Sequence, residues 1–268
     1  MWWESARAPT LYCSLILASF RMLPNPESNF SFDSTCVHPS ATALQIPSAV
    51  LDTSTEAHLS LPLLPSAKTH LRKFTTCPED SDVSSQVEVG FEKRNREFAV
   101  GRHCARVALN YFDITAEVLV DTDRKPIWPA GIVGSISHSQ HYAWAAVAKK
   151  NAVSGIGIDT EIVVDDATMR QVLKEITVEA ERNLLAKIHS DVRTAFTVVF
   201  SAKESIYKCL YPMNEQFFGF HDVELIAASD HTVTFAQHPS NPNYSLAPRT
   251  LTVQYAVYQN DVFSTTWV

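Results

Sequence analysis

The chain has 268 residues, 46% of them hydrophobic, enough for one large domain or two small lobes around a real core. With 22 Lys and Arg against 29 Asp and Glu, its formal net charge is -7 and its pI is near 5.8, which argues against a general nucleic-acid binder, because neutralising phosphates needs a basic face. Any anionic ligand is therefore expected in a local group of cations. The five cysteines, Cys13, Cys36, Cys77, Cys104 and Cys209, show no CxxC spacing, so neither a zinc knuckle nor a disulfide framework is indicated, and a reduced cytoplasmic setting is expected.

The apolar run "LYCSLILASF" near the N-terminus spans ten residues, too few to cross a bilayer, and "MWWESARAPT" offers Arg7 offset by Glu4 rather than a basic leader, so no transmembrane or secretory segment is expected. From Pro24 to Ser85 the chain is rich in Ser, Thr and Pro with interrupted apolar runs, which reads as short strands and loops. The segment from Phe91 to Asn110 reads as a helix with Phe91, Phe98, Val107, Ala108 and Phe112 on one stripe. "DRKPIWPAGIVGSISHSQHYAWAAVA" then gives a Pro-bounded turn, a strand, and an alternating run through Tyr142, Trp144 and Ala146. Thr177 to His189 opens with "TVEAER", an acid-led helix start, and the last fifty residues alternate as antiparallel strands do. No sequence repeat is visible, although each half offers a helix followed by alternating strands.

The chemistry is concentrated in two stretches. In "GIGIDTE" the two-residue period of a strand places Gly157, Asp159 and Glu161 on one face and Ile156, Ile158 and Thr160 on the other. Gly155 and Gly157 carry no side chains beside the acids, so the expectation is that a bulky ligand approaches the backbone there. In "FSAKESIYKCLYP" helical periodicity groups Val199, Ala202, Ile206, Cys209 and Leu210 as an apolar stripe, with Ser201, Glu204 and Lys208 on the opposite side. Taken singly, a strand-end acid pair reads as a solvated edge and Glu204 with Lys208 as an i,i+4 surface pair. Taken together, three clustered carboxylates repel unless a cation sits among them, and Mg²⁺ is the hard ion that takes a few carboxylates and completes its shell with water and substrate phosphates.

These stretches, with "EFAVGRHCARVAL", "RKPIWP" and "GSISHS" upstream, resemble in order the motifs of the 4'-phosphopantetheinyl transferase superfamily, in the branch typified by enterobactin synthase component D. The likeness runs from about Glu97 to Leu210. It implies transfer of phosphopantetheine from coenzyme A to a serine of a carrier protein, with release of adenosine 3',5'-bisphosphate. It further implies Asp159, Glu161 and Glu204 as Mg²⁺ ligands, Glu204 also as the base for the serine proton, and Lys208 at the phosphate where the bond breaks. Arg102, Arg124, Ser137 and His138, with Lys208, would hold the coenzyme A phosphates and adenine end. Arg106 is an alternative to Arg102 and Lys125 to Arg124, while a zinc reading of His138 and His141 lacks a third soft ligand. Thr160 departs from the residue type usual between the two acids, but points away from the carboxylate face.

The implied fold is α+β: two similar lobes related by a pseudo-twofold axis, each a small antiparallel sheet packed on a helix, residues 1–150 contacting coenzyme A and residues 151–268 carrying the acids and the catalytic helix. A monomer is expected. The carrier would belong to a nonribosomal peptide (siderophore) synthetase, the alternative being a polyketide or polyunsaturated fatty-acid synthase. A Mg²⁺-dependent phosphohydrolase or an inactive carrier-binding module are the rival classes. Carrier docking is expected at Lys203, Lys208, Tyr211 and Met213, with Lys203 otherwise laying its stem along the core.

Overall fold

The computed structural model describes residues 66–73, 86–121, 125–238 and 249–268, with the side chains of 86–95 excepted. The expected strands and loops between 24 and 65, the run "LYCSLILASF", Cys13, Cys36, Cys77 and Arg124 lie outside the described residues. In chain order the elements are β1 (Lys68–Lys73), α1 (Gln86–Asn110), β2 (Leu119–Val120), β3 (Pro126–Ile127), β4 (Ile132–His138), β5 (Tyr142–Lys149) and β6 (Ile156–Ile162). There follow α2 (Asp166–Ile176), α3 (Glu179–Arg182), α4 (Leu185–Ile188), α5 (Val192–Asn214), β7 (Val223–Ser229), β8 (Thr232–Gln237), β9 (Thr250–Tyr258) and β10 (Asp261–Trp267). The fold is α+β: an antiparallel sheet in the order β1-β5-β4 packs on α1, and a second, in the order β6-β10-β9-β8-β7, packs on α5.

The two helix-on-sheet lobes meet along β5. Its odd residues, Ala143, Ala145 and Val147, pack under α1 with Val100, Cys104, Ala105, Ala108 and Leu109. Its even residues, Tyr142, Trp144 and Ala146, pack on Ile156 and Ile158 of β6 and Phe263 of β10. Trp144 and Tyr142 each meet the Phe263 ring edge-on, at centroid separations of 5.9 and 5.3 Å. A strand buried on both faces needs apolar residues at every position, which is what "YAWAAVA" supplies.

The alanines of β5 also explain a departure from the expected α1 stripe. Of the expected stripe Ala108 is in the core and Phe112 packs against it, but Phe98 is half exposed, with the Arg102 guanidinium 4.9 Å over its ring, and the stripe is completed by Val100, Cys104, Ala105 and Leu109. Small side chains let the helix settle close to an alanine-lined strand, where Phe would not fit. The helix expected at 177–189 is divided into α3 and α4, and α2 precedes it, started by the side chain of Asp165, which accepts the Thr168 N–H at 2.8 Å.

Helix α5 is enclosed rather than amphipathic: every residue from Thr194 to Ile206 is buried. Its expected polar side faces the sheet, where Ser201 and Ser264 hydroxyls meet at 2.8 Å. The approach is closest at the two glycines of β6. A Cβ on Gly157 would stand 1.8 Å from the Ser205 carbonyl oxygen and 2.6 Å from the Cys209 nitrogen, and one on Gly155 would stand 2.8 Å from the Cys209 carbonyl oxygen. The group that comes close to this backbone is therefore α5, not a bulky ligand.

On its other flank α5 is anchored by Lys203, whose fully buried ammonium lies 2.8 Å from Glu181 of α3 and donates to the carbonyls of Ile176 and Phe220 at 2.9 and 2.8 Å. Glu181 in turn accepts the N–H groups of Leu225 at 2.7 Å and Val178 at 2.8 Å. Lys203 is thus a saturated internal anchor, neither a stem on the core surface nor part of a docking face. Burial pushes the thiols of Cys104 and Cys209 up to about 12, so both stay protonated.

Two measurements test this architecture. Gly157→Ala should cost at least about 3 kcal/mol in denaturant unfolding, because the neighbouring atoms are helix backbone and cannot rotate aside. The second concerns His70 of β1, which accepts from Arg72 Nε at 2.9 Å and whose burial, with Arg72 and His103 beside it, holds its pKa down to about 4. The unfolded chain takes up that proton near 6.5 while the folded chain resists it, so stability should fall as pH drops from 6.5 towards 4. His70→Gln should flatten that slope in thermal melts.

Candidate active site

The site is built where β4, β6 and α5 converge. β4 lies beside β6 without a backbone ladder between them; hydroxyls of the "GSISHS" strand take its place. Ser135 Oγ accepts the Ile158 N–H at 3.1 Å and Ser137 Oγ accepts the Thr160 N–H at 3.2 Å. Ser139, one step further, sits 3.4 Å from Asp261 of β10, to which His141 also binds through Nδ1 at 2.8 Å. The period of two in a strand is what aims these three serines at the same seam.

Because α5 lies directly on Gly157, Lys208 reaches Asp159: its Nζ is 2.6 Å from Asp159 Oδ1 and 3.0 Å from Ser137 Oγ, and the Ser137 hydroxyl donates to the same Oδ1 at 2.9 Å. Asp159 is 2% exposed, Glu204 4%, and the Lys208 side chain 29%. Burial works against the Lys208 ammonium, but Asp159, Glu204 and Glu161 together outweigh it, and its pKa is raised. The three acids singled out in the sequence therefore all act on one cation. Asp159 Oδ2 is buried with no hydrogen-bond partner among the described residues.

A divalent ion fits this arrangement as an incomplete site. Among the described residues no three His, Cys, Asp or Glu side chains form a ready cage. The donors present are nonetheless hard carboxylate oxygens, one of them orphaned, and Mg²⁺ is commonly held by one or two carboxylates with substrate phosphates and water completing its shell.

The other singled-out residues are distributed around this centre. Arg102 donates to the carbonyls of Val118 and Leu119 at 3.0 and 3.1 Å, and burial lowers its pKa. Arg106 pairs with Glu117 at 3.1 Å on the surface. Arg124 lies outside the described residues, while its neighbour Lys125 lies 3.4 Å from Asp121, 3.6 Å from Glu215 and over the Tyr211 ring. Ser137 is engaged with Asp159, Lys208 and Thr160, as given above. His138 points to the opposite face of β4, where its Nδ1 is 3.5 Å from Glu97 Oε2 of α1. Glu97 stands inside the quoted "EFAVGR" stretch but was assigned no role from the sequence. Of the expected docking residues, Tyr211 stacks on Tyr207 at 5.0 Å, and Met213 packs against the core beside Gly155.

The chain is similar to known proteins over both halves. Residues 83–148 match the 4'-phosphopantetheinyl transferase N-terminal domain, and residues 155–257 match the 4'-phosphopantetheinyl transferase superfamily. The chain is 33% identical over 165 residues to the 4'-phosphopantetheinyl transferase PptT of Mycobacterium tuberculosis, covering 59% of this chain and 68% of that protein. It is 37% identical over 136 residues to the 4'-phosphopantetheinyl transferase Npt of Nocardia iowensis, covering 50% and 60%. To enterobactin synthase component D of Escherichia coli it is 33% identical over 143 residues, covering 53% and 66%. The chain thus spans about two thirds of the length of these relatives. With both halves matched in order, and with the quoted strand and helix falling inside the second match, the chain belongs to the 4'-phosphopantetheinyl transferase superfamily.

Proposed function

We propose that this chain moves the 4'-phosphopantetheine group from coenzyme A to the serine hydroxyl of a carrier protein, releasing adenosine 3',5'-bisphosphate. The observation that carries the reading is the Asp159–Lys208 contact at 2.6 Å, with Glu161 and Glu204 acting on the same ammonium and Asp159 Oδ2 without a hydrogen-bond partner among the described residues. A cation poised among acids is what transfer between two phosphate oxygens needs, because the reaction concentrates negative charge at the bond that breaks.

In this reading the serine oxygen forms a bond to the phosphorus that bears the pantetheine arm, and the bridging oxygen of the pyrophosphate leaves with its electron pair. Glu204, buried within α5, takes the serine proton, directly or through a water. Lys208 places its charge at the phosphate undergoing substitution, a task suited to a compact ammonium. Asp159, Glu161 and Glu204 would hold Mg²⁺, which when bound supplies charge neutralisation at the pyrophosphate. Arg102, Arg124, Ser137 and His138 hold the phosphates and the adenine end of coenzyme A. For Arg102 this uses guanidinium donors beyond the two hydrogen bonds it gives to backbone carbonyls. The relatives named enterobactin synthase component D favour a nonribosomal peptide synthetase of siderophore type as the source of the carrier. Residues 1–150 form the coenzyme A lobe and 151–268 the lobe of acids and catalytic helix, in a monomeric cytoplasmic enzyme. Among the described residues no helix is long and apolar enough to cross a membrane.

Intact-mass analysis of carrier domains incubated with the enzyme, coenzyme A and Mg²⁺ should show the phosphopantetheine increment only with active enzyme, and a phosphohydrolase would instead consume coenzyme A without carrier. Asp159→Asn should abolish the increment while circular dichroism stays native, since the substitution keeps the shape and removes the charge. Lys208→Ala should lower kcat by about 100-fold or more with a smaller change in the KM for coenzyme A, the pattern of a contact that strengthens in the transition state. Full activity of Asp159→Asn would remove it from the site.

A further inference from the structure

We propose that Glu97 is a positioning residue that makes His138 a cationic hook for the coenzyme A pyrophosphate; the proposal rests on the phosphate role of His138 given above. Glu97 is 2% exposed on α1, and its Oε2 stands 3.5 Å from His138 Nδ1. The His138 side chain is 37% exposed while its Nδ1 is buried, at ion-pair distance from Glu97 but outside hydrogen-bond geometry with it, so the ring presents its other edge outward.

The chemistry follows from what each group can give. At ion-pair distance a carboxylate favours a ring nitrogen that carries a hydrogen. A neutral imidazole protonated there would turn the Nε2 lone pair towards an arriving phosphate, and two acceptors repel. Only the imidazolium offers N–H groups to both the carboxylate and the phosphate, and a carboxylate within about 4 to 6 Å favours that charged form.

The strand neighbour of His138 on β5 is Ala143, which is neutral. On the other face of β4 the ammonium of Lys208 is held by Asp159 and Ser137, and His141, past the end of the strand, is engaged with Asp261. Glu97 is the acid that α1 brings to the His138 ring, and a Gln there would keep the shape while losing the charge.

The test is calorimetric titration of coenzyme A into the Mg²⁺-supplemented enzyme without carrier, from about pH 6 to pH 8.5, a range that brackets an ordinary histidine pKa. His138→Ala should weaken binding about 10-fold, the loss of one charge-assisted hydrogen bond. Glu97→Gln should weaken it about 5-fold at neutral pH and recover towards wild type at the acid end, where the imidazole is protonated without help. In the His138→Ala background Glu97→Gln should add nothing, because it acts through the ring. Equal loss on Glu97→Gln in both backgrounds, or a loss independent of pH, marks a purely structural carboxylate and overturns the proposal. Normal weakening by His138→Ala with a silent Glu97→Gln overturns it alone. Unchanged binding in His138→Ala removes the histidine from the phosphate site, and the proposal falls with that reading. If Glu97→Gln does not fold, Glu97→Asp, which keeps the charge at a longer reach, should show a smaller loss with the same pH recovery, and a pH-independent loss overturns the proposal there too.

Discussion

The close approach of α5 to β6 at Gly157 governs the rest of the molecule. Any side chain at that position would collide with the carbonyl of Ser205, and the helix would have to lift from the strand. Lys208, one turn from Glu204, would lift with it and lose its 2.6 Å contact to Asp159. The other flank of the helix is pinned by Lys203 and Glu181, a buried pair whose lone pairs and protons are taken up by backbone groups of Ile176, Phe220, Val178 and Leu225. Such a pair is weak as a source of stability but strict as a source of register, since a small rotation of the helix would strand a buried charge.

Between the lobes the constraint is different in kind. Where two sheet edges come together, the usual outcome is a continuous backbone ladder or a covered edge. Here the hydroxyls of Ser135 and Ser137 accept two β6 amides, leaving the strands side by side but joined through side chains. The same Ser137 that closes the seam also touches Asp159 and Lys208, so the packing of the lobes and the electrostatics of the site share one hydroxyl.

Much of this was legible in the sequence. The strand period put Asp159 and Glu161 on one side, the helical period put Glu204 beside Lys208, and the alternating strands after α5 read correctly as an antiparallel sheet. What could not be read was whatever depends on a partner distant in the chain. The inward stripe of α1 was read correctly at Ala108 and Phe112 but not at Phe98, because it is set by the alanines of β5, which reject the larger ring. The glycines of β6 looked like room for a ligand because helix and strand are some fifty residues apart and periodicity says nothing about which will touch. Lys203 looked superficial because its partner Glu181 lies on another helix. Glu97 carried no local signal, as its relation to His138 exists only once α1 lies over β4.

The order of strands in the second sheet has a bearing on how the site comes into being. β6, which carries Asp159 and Glu161, pairs with β10 and with no strand between, and the pairing joins Ile156 to Trp267. Pairing across a separation of roughly a hundred residues is a non-local contact of the kind that slows folding, and the acids' strand depends on it. During synthesis the motif that is easiest to recognise in the sequence is therefore emitted long before the segment that makes it a strand. Until β10 arrives, the edge of β6 is open, and its isoleucines and glycines are exposed to the misassociation that unpaired strands invite.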